Sequence, residues 1–201
     1  EANSTLLCNV SASDDDGDTP NISYAWTNLT DAASLGSSQA LVLSPSTAGP
    51  NDTIQCEATV SDNDGGSSTS SDTVGVENTD PTFSVSAAIS PSSGIEVGDS
   101  ISCSATATDL NDGGLSPSYA WTNGGSALGA GSSLEMTSSN CNPGDTITCT
   151  ATVTDNNGAT NTSQASVSIS NTAPVLDGVS ISPSTAYEST TLTCTAGNTS
   201  D

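Results

Sequence analysis

The chain of 201 residues has no lysine, no arginine and no histidine. Against this absence stand 23 acidic residues and a formal charge of −23. A chain without cationic side chains offers a phosphate backbone only repulsion, which excludes nucleic acid as a partner. The same repulsion disfavours anionic membrane surfaces. Without histidine the usual general acid–base group is missing, and without lysine there is no Schiff-base nucleophile. Paired carboxylates could still act as in a glycosidase; here they recur with the repeat described below, which points to structure, and the chain is read as no enzyme. The absence of lysine also removes Lys–Asn isopeptide cross-links, leaving disulfides as covalent locks. No apolar run approaches the roughly 20 residues of a membrane span, so no membrane insertion is expected in this segment. There is no initiator methionine and no basic head followed by an apolar run, so the chain reads as mature or as an excerpt. Aromatic residues are scarce, at two Trp, three Tyr and one Phe. Hydrophobic residues reach only 32%, a composition that borders on disorder. The order of the residues argues for a fold.

Both tryptophans lie in the same hexapeptide, SYAWTN, at Ser23–Asn28 and at Ser118–Asn123. Cys8 precedes Trp26 by 18 residues, and Cys103 precedes Trp121 by 18. A second cysteine follows each tryptophan, giving Cys8 to Cys56 and Cys103 to Cys149 separations of 48 and 46. The first cysteines open CNVSASDDDGD and CSATATDLNDGG; the second open CEATVSDNDGG and CTATVTDNNGA. A third copy begins at LTCTAG, with Cys194 lying 91 residues after Cys103. The period is that of one small β-domain. From Cys56 to Val60 and from Cys149 to Val153, small apolar residues alternate with Ser, Thr or Glu. That is the signature of a half-buried strand, and each cysteine is expected to open one. Clusters of Gly, Asn, Asp and Pro between these stretches read as turns. The expected domains are 1–78, 79–171 and 172–201, joined by the linkers ENTDP and SNTAP.

Cys, then Trp, then Cys at this spacing resembles the immunoglobulin fold, along the whole chain. The resemblance implies an all-β protein of tandem Ig-like antiparallel β-sandwich domains, each with an inter-sheet disulfide. By position the bridges would be Cys8–Cys56 and Cys103–Cys149 on strands B and F, covered by Trp26 and Trp121 on strand C. ISPSSGIEVGDSISC would be strand A, a turn and strand B; LVL at 41–43 and LEM at 134–136 would be strand E. Antibody-type domains carry a tyrosine two residues before the second cysteine, whereas Ile54 and Ile147 stand there. The texture is closer to tandem Ig-like or PKD-like repeats of large prokaryotic surface proteins. Bridged cysteines persist in oxidising compartments, so an extracellular, cell-surface or secreted location is expected. The alternative is six unpaired cysteines in a cytosolic protein.

The first domain lacks its own first strand, and Pro174–Asp201 reads as the first two strands of a third. Either these residues are cut from a longer array, or Pro174–Tyr187 of one subunit completes the first domain of the next, head to tail. Cys141 has Ala48 as its counterpart and belongs to the E–F loop. A bridge from Cys141 to Cys194 is not expected in a normal tandem arrangement, which leaves an interchain bridge or free thiols.

Aspartates recur in register. Asp14, Asp62, Asp109 and Asp155 each fall six residues after a cysteine. The resemblance implies that the B–C and F–G loops share one end of each sandwich. It would gather Asp14, Asp16, Asp18, Asp62 and Asp64 in the first domain. In the second it would gather Asp109, Asn111, Asp112, Asp155 and Asn157, with Asn78 and Asp80 arriving on the linker. Such hard oxygen ligands suit Ca²⁺; the plainer reading is that Asp, Asn and Gly make turns. Asn-x-Ser/Thr sequons occur at Asn3, Asn9, Asn21, Asn28, Asn51, Asn161 and Asn198. The function these features imply is a disulfide-stapled extracellular array forming a stalk or filament, with neighbouring copies or further repeats as partners. The alternative is an adhesin module for a carbohydrate or protein ligand, which the scarcity of aromatics and the absence of Arg weaken.

Overall fold

The computed structural model describes residues 3–15, 17 and 19–200. Among the described residues there are strands and no helix. The first repeat holds β1 (Thr5–Leu7), β2 (Asn21–Asn28), β3 (Ala33–Gly36), β4 (Ala40–Val42), β5 (Thr53–Ser61) and β6 (Ser67–Gly75). The second holds β7 (Thr82–Ser90), β8 (Ser100–Asp109), β9 (Gly113–Leu115), β10 (Ser118–Asn123), β11 (Ser126–Ala130), β12 (Ser133–Glu135), β13 (Thr146–Thr154) and β14 (Thr160–Ser168). Four short strands follow: β15 (Val175–Leu176), β16 (Val179–Ser182), β17 (Thr193–Ala196) and β18 (Thr199–Ser200). By compactness the chain divides into two units. One comprises Glu1–Ser86, Ala105–Ser118 and Ala151–Ser163; the other comprises Ala87–Ser104, Tyr119–Thr150 and Gln164–Asp201.

In the first unit, β3-β2-β5-β6 form one antiparallel sheet and β1-β4 a second. Cys8 and Cys56 join them by a disulfide. Trp26 pairs directly across from Cys56 and is 4% exposed. Leu43, Ala48, Ile54 and Val76 complete the core, with Tyr24 packed against it. The indole Nε1 donates to the Ser38 carbonyl at 2.8 Å, so the buried ring leaves no orphan donor. A bulge follows Trp26, opposite Gly36 at φ 141°, a backbone conformation that suits glycine.

The second repeat follows the same plan, with sheets β11-β10-β13-β14 and β12-β8-β7, β9 also pairing with β8. The core in the second unit contains Trp121, Ile95, Ile101, Met136, Ile147 and Cys149, each at or below 1% exposure. The Cys103–Cys149 bridge ties β8 to β13, and Trp121 Nε1 donates to the Gly131 carbonyl at 2.8 Å. The sequence expectation of tandem Ig-like sandwiches with inter-sheet disulfides is therefore met. One detail differs. Cys56, Cys103 and Cys149 lie inside their strands and do not open them. Ile54, Ile101 and Ile147, two residues earlier, already point inward and extend each strand backwards.

The last residue of SYAWTN has a task the sequence reading did not assign. Asn28 is 1% exposed, and its Nδ2 donates to Asp52 Oδ2 at 2.7 Å. In the second repeat Asn123 Nδ2 donates to Asp145 Oδ2 at 2.6 Å. Each aspartate also accepts a backbone N–H from its own turn, Gly49 at 2.8 Å and Asn142 at 2.9 Å. The turn backbones are tied in turn to Val76 and to Ile169. The Asn–Asp pair thus fastens strand C to the E–F corner, where the antibody-type tyrosine is missing.

Candidate functional site: acidic loops, linker and open groove

The in-register aspartates end strands and cap the loops that follow. Asp62 Oδ1 accepts the N–H groups of Asp64 (2.9 Å) and Gly66 (2.7 Å). Asp155 Oδ1 accepts those of Asn157 (2.9 Å) and Ala159 (2.8 Å). Asp109 Oδ1 accepts those of Asn111 (2.7 Å) and Asp112 (3.0 Å). These are Asx-type turns, in which a carboxylate satisfies backbone donors that the ending strand leaves free. Gly66 lies so close that a Cβ there would collide with the Asp62 carboxylate.

Within the first unit, these loops also hold the linker after β6. Asn78 Nδ2 donates to Asp155 Oδ2 at 2.7 Å. Thr79 Oγ1 donates to Asn111 Oδ1 at 2.6 Å and reaches Asp109 Oδ2 at 3.5 Å. Asn161 Nδ2 donates to the Pro81 carbonyl at 3.0 Å. Asp112 accepts both the backbone N–H and the side-chain amide of Asn156. Asp109 and Asp155 are each 6% exposed. The Asn78 amide, more than any other contact, holds the Asp155 carboxyl below its ordinary value, with the loop N–H groups adding to it and burial opposing. Asn78 Oδ1 and Asn111 Nδ2 are buried without a partner, one acceptor and one donor.

Among the expected calcium ligands, Asp16 and Asp18 lie outside the described residues. Asp14 and Asp62 flank one hollow of about 230 Å³, with Pro20 and Ser67. Asp64 and Asp80 are exposed. Among the described residues, no three carboxylate, thiol or imidazole groups converge. In the second repeat Asp109 Oδ1 and Asp155 Oδ1 accept loop N–H groups, and Asp155 Oδ2 accepts the Asn78 amide.

The two thiols outside the bridges are free. Cys141 is 2% exposed, packs in the core where Ala48 packs in the first repeat, and donates weakly to the Thr137 carbonyl. Burial, and then the Asp145 charge, push its thiol above the ordinary range, so it is an inert core residue. Cys194 is exposed on β17. Of the sequons, Asn3, Asn9, Asn21, Asn51, Asn161 and Asn198 are exposed. The amide of Asn161 is engaged with Pro81, and Asn28 is buried on Asp52.

One concavity in the first unit lies beside the disulfide. A groove of about 430 Å³ runs between Cys8–Ser13 and Ser68–Asp72, with Cys56, Ala58 and Val60 as its floor.

No protein-family model matches the chain, and no curated protein matches it. Among solved structures it is similar to the amphioxus IgVJ-C2 molecule, at 19% identity over 84% of this chain and 96% of that one, with a TM-score of 0.39. It is also similar to the three N-terminal domains of the Highly Immunogenic Outer Capsid protein (Hoc) of bacteriophage RB49. That likeness has 15% identity over 100% of this chain and 66% of that one, with a TM-score of 0.34. At such values the likenesses carry no functional argument. The Ig-like description rests on the strand order, the two inter-sheet disulfides and the tryptophan-centred cores.

Proposed function

We propose that the chain is a structural extracellular protein, a disulfide-stapled tandem Ig-like array that builds a surface stalk or filament. The observation that carries this reading is the duplication of one complete mechanical device. Disulfide, covering tryptophan and Asn–Asp corner occur twice, at matching places. Bridges of this kind belong to oxidising compartments. The linker supports the same reading, since Asn78, Thr79 and Pro81 are bonded to the loops around them. What is repeated is the means of holding a shape. An adhesin would add a ligand site to such a frame; the array reading needs none.

A cation forms a secondary part of the proposal, restricted to the Asp14–Asp62 hollow of the first repeat. Calorimetry in calcium against chelator tests it: a melting temperature identical in the two media rejects it. The array reading is tested by immunogold electron microscopy of intact source cells with antibody to this chain. Label along appendages or stalks outside the envelope is the expected result; label confined to the cytoplasm overturns the reading.

A further inference from the structure

We propose that the Asn157–Gly158 peptide is a site of spontaneous deamidation, and that its isoaspartyl product undoes the turn that holds Asp155. The inference stands independently of the array reading.

Asn-Gly occurs twice in the chain, at Asn123–Gly124 and at Asn157–Gly158. The reaction at such a pair is intramolecular. The glycine backbone nitrogen attacks the side-chain carbonyl carbon of the asparagine. A C–N bond forms, the bond to the amide nitrogen breaks, and ammonia leaves with the proton of the attacking N–H. One water then opens the succinimide ring at either carbonyl, giving aspartate or the isoaspartyl peptide. Glycine favours the attack because no Cβ crowds its nitrogen. Orientation decides the rate, because the amide carbon must swing onto the following nitrogen.

The two sites differ in what holds the amide. Asn123 is half-buried, and its Nδ2 donates to Asp145 Oδ2 at 2.6 Å and to the Asn140 carbonyl at 3.1 Å. Swinging that amide toward Gly124 breaks a hydrogen bond to a charge, so the side chain is locked. Asn157 is exposed, and its side-chain amide has no partner among the described residues; only its backbone N–H is engaged, with Asp155 Oδ1 at 2.9 Å. The Gly158 N–H reaches the Asp155 carbonyl only at 3.3 Å.

The first repeat shows which product the turn tolerates. Its DNDGG at 62–66 matches DNNGA at 155–159, so Asp64 stands where Asn157 stands. Asp62 Oδ1 accepts the N–H groups of Asp64 and Gly66, as Asp155 Oδ1 accepts those of Asn157 and Ala159. The aspartyl product therefore has a working precedent in the same chain. The isoaspartyl product adds one carbon to the main chain at position 157. It does so inside a turn closed by the Asp155 N–H on the Ala159 carbonyl at 3.0 Å and the Ala159 N–H on Asp155 Oδ1 at 2.8 Å. The longer loop moves the Ala159 N–H off the carboxylate, whose other oxygen carries the Asn78 amide of the linker.

The test ages the full chain, both disulfides intact, at physiological temperature in mildly alkaline buffer, beside a reduced and urea-unfolded sample. Cleavage before aspartate yields residues 112–144 and 155–176, with one Asn-Gly pair in each. Mass spectrometry reads the amide-to-acid conversion of each against an unaged control. In the folded chain Asn157 should convert faster than Asn123 by about tenfold or more; in the unfolded chain the two should convert at similar rates. Asn157→Gln should remove the conversion from residues 155–176. In the isolated isoaspartyl fraction the Ala159 N–H should exchange with solvent faster than in the fresh chain, whereas Asn157→Asp should leave it protected. Three results overturn the proposal: a folded Asn157 that keeps its amide while the unfolded one converts, an Asn123 that keeps pace with it, or an isoaspartyl fraction with Ala159 protected as before. None of them touches the surface-labelling result, so the array reading and this site stand or fall separately.

Discussion

Replacing Asn28 separates the corner reading from the glycan reading of the same residue. Its side chain is 1% exposed, donates to Asp52 at 2.7 Å and accepts the Thr30 N–H at 3.0 Å. Asn28→Ala removes a hydrogen bond to a charged group and takes the acceptor away from the Thr30 N–H. Losses of this kind cost about 1.5–3 kcal/mol. For a domain of this size that lowers the melting temperature by roughly 8–16 °C, taking about 2 kcal/mol. Asn28→Asp sets a second carboxylate against the first, and two such groups at hydrogen-bond distance do not both ionise. The Asp variant should therefore be the worse of the two at neutral pH and should recover as the pH falls toward about 5, where the pair can share a proton. The assay is tryptophan fluorescence on heating, in a Trp121→Phe background so that Trp26 alone reports. Protein made without glycosylation removes the sequon from consideration. An Ala variant melting within a degree or two of its parent, or an Asp variant indifferent to pH, refutes the corner reading.

Four further outcomes follow from the same structure. Cys103→Ala with Cys149→Ala should destabilise the second repeat by about 4 kcal/mol on the chain-entropy estimate for this loop, measured by urea unfolding; a loss under about 1 kcal/mol would show that the bridge is redundant. Trp121→Ala should cost about 3–5 kcal/mol in the same assay, because the ring is wholly buried in a dense core. Raising NaCl from about 10 mM to about 0.5 M should raise the melting temperature, since the only fixed side-chain charges are negative and screening relieves them; a flat or falling response contradicts this. Asp155 is held below its ordinary value of 3.8, so its contribution is fully present above that value and is lost as pH falls through the lower folded value. Asn78→Ala should move the Asp155 titration upward when followed by carbonyl NMR, and an unmoved titration would mean the linker does not hold the carboxylate.

How far the sequence could be read depends on the kind of contact. SYAWTN and the paired cysteines carried the fold because a Trp-covered bridge needs fixed spacing along two strands. Asp109 and Asp155 were visible as a register but not as a role. The residue type suits a turn and a cation equally, and only the positions of the N–H groups of Asn111, Asn157 and Ala159 show the turn role. Asn28 was obscured by its own sequon: the letters Asn-Leu-Thr read as an acceptor, while the partner, Asp52, lies 24 residues away. A usable signal existed, because both copies of SYAWTN end in Asn and both E–F turns carry Asp before Thr-Ile. The Cys8–Ser13 stretch has the alternation of a strand, yet a ladder needs a partner that local pattern cannot supply.

The absence of cations shapes the interior as much as the surface. A carboxylate drawn into a fold usually meets Arg or Lys, and this chain has neither. Asp109 and Asp155 are nonetheless buried, so neutral donors must satisfy them. Backbone N–H groups do so at both, joined at Asp155 by the Asn78 amide. This gives a physical reason for so many Asn, Ser and Thr residues beside so many Asp. Each tie is a hydrogen bond to a charge and not an ion pair, so it retains most of its strength in salt while the repulsion among exposed carboxylates is screened. A chain built this way gains cohesion from salt at no cost to its internal joints.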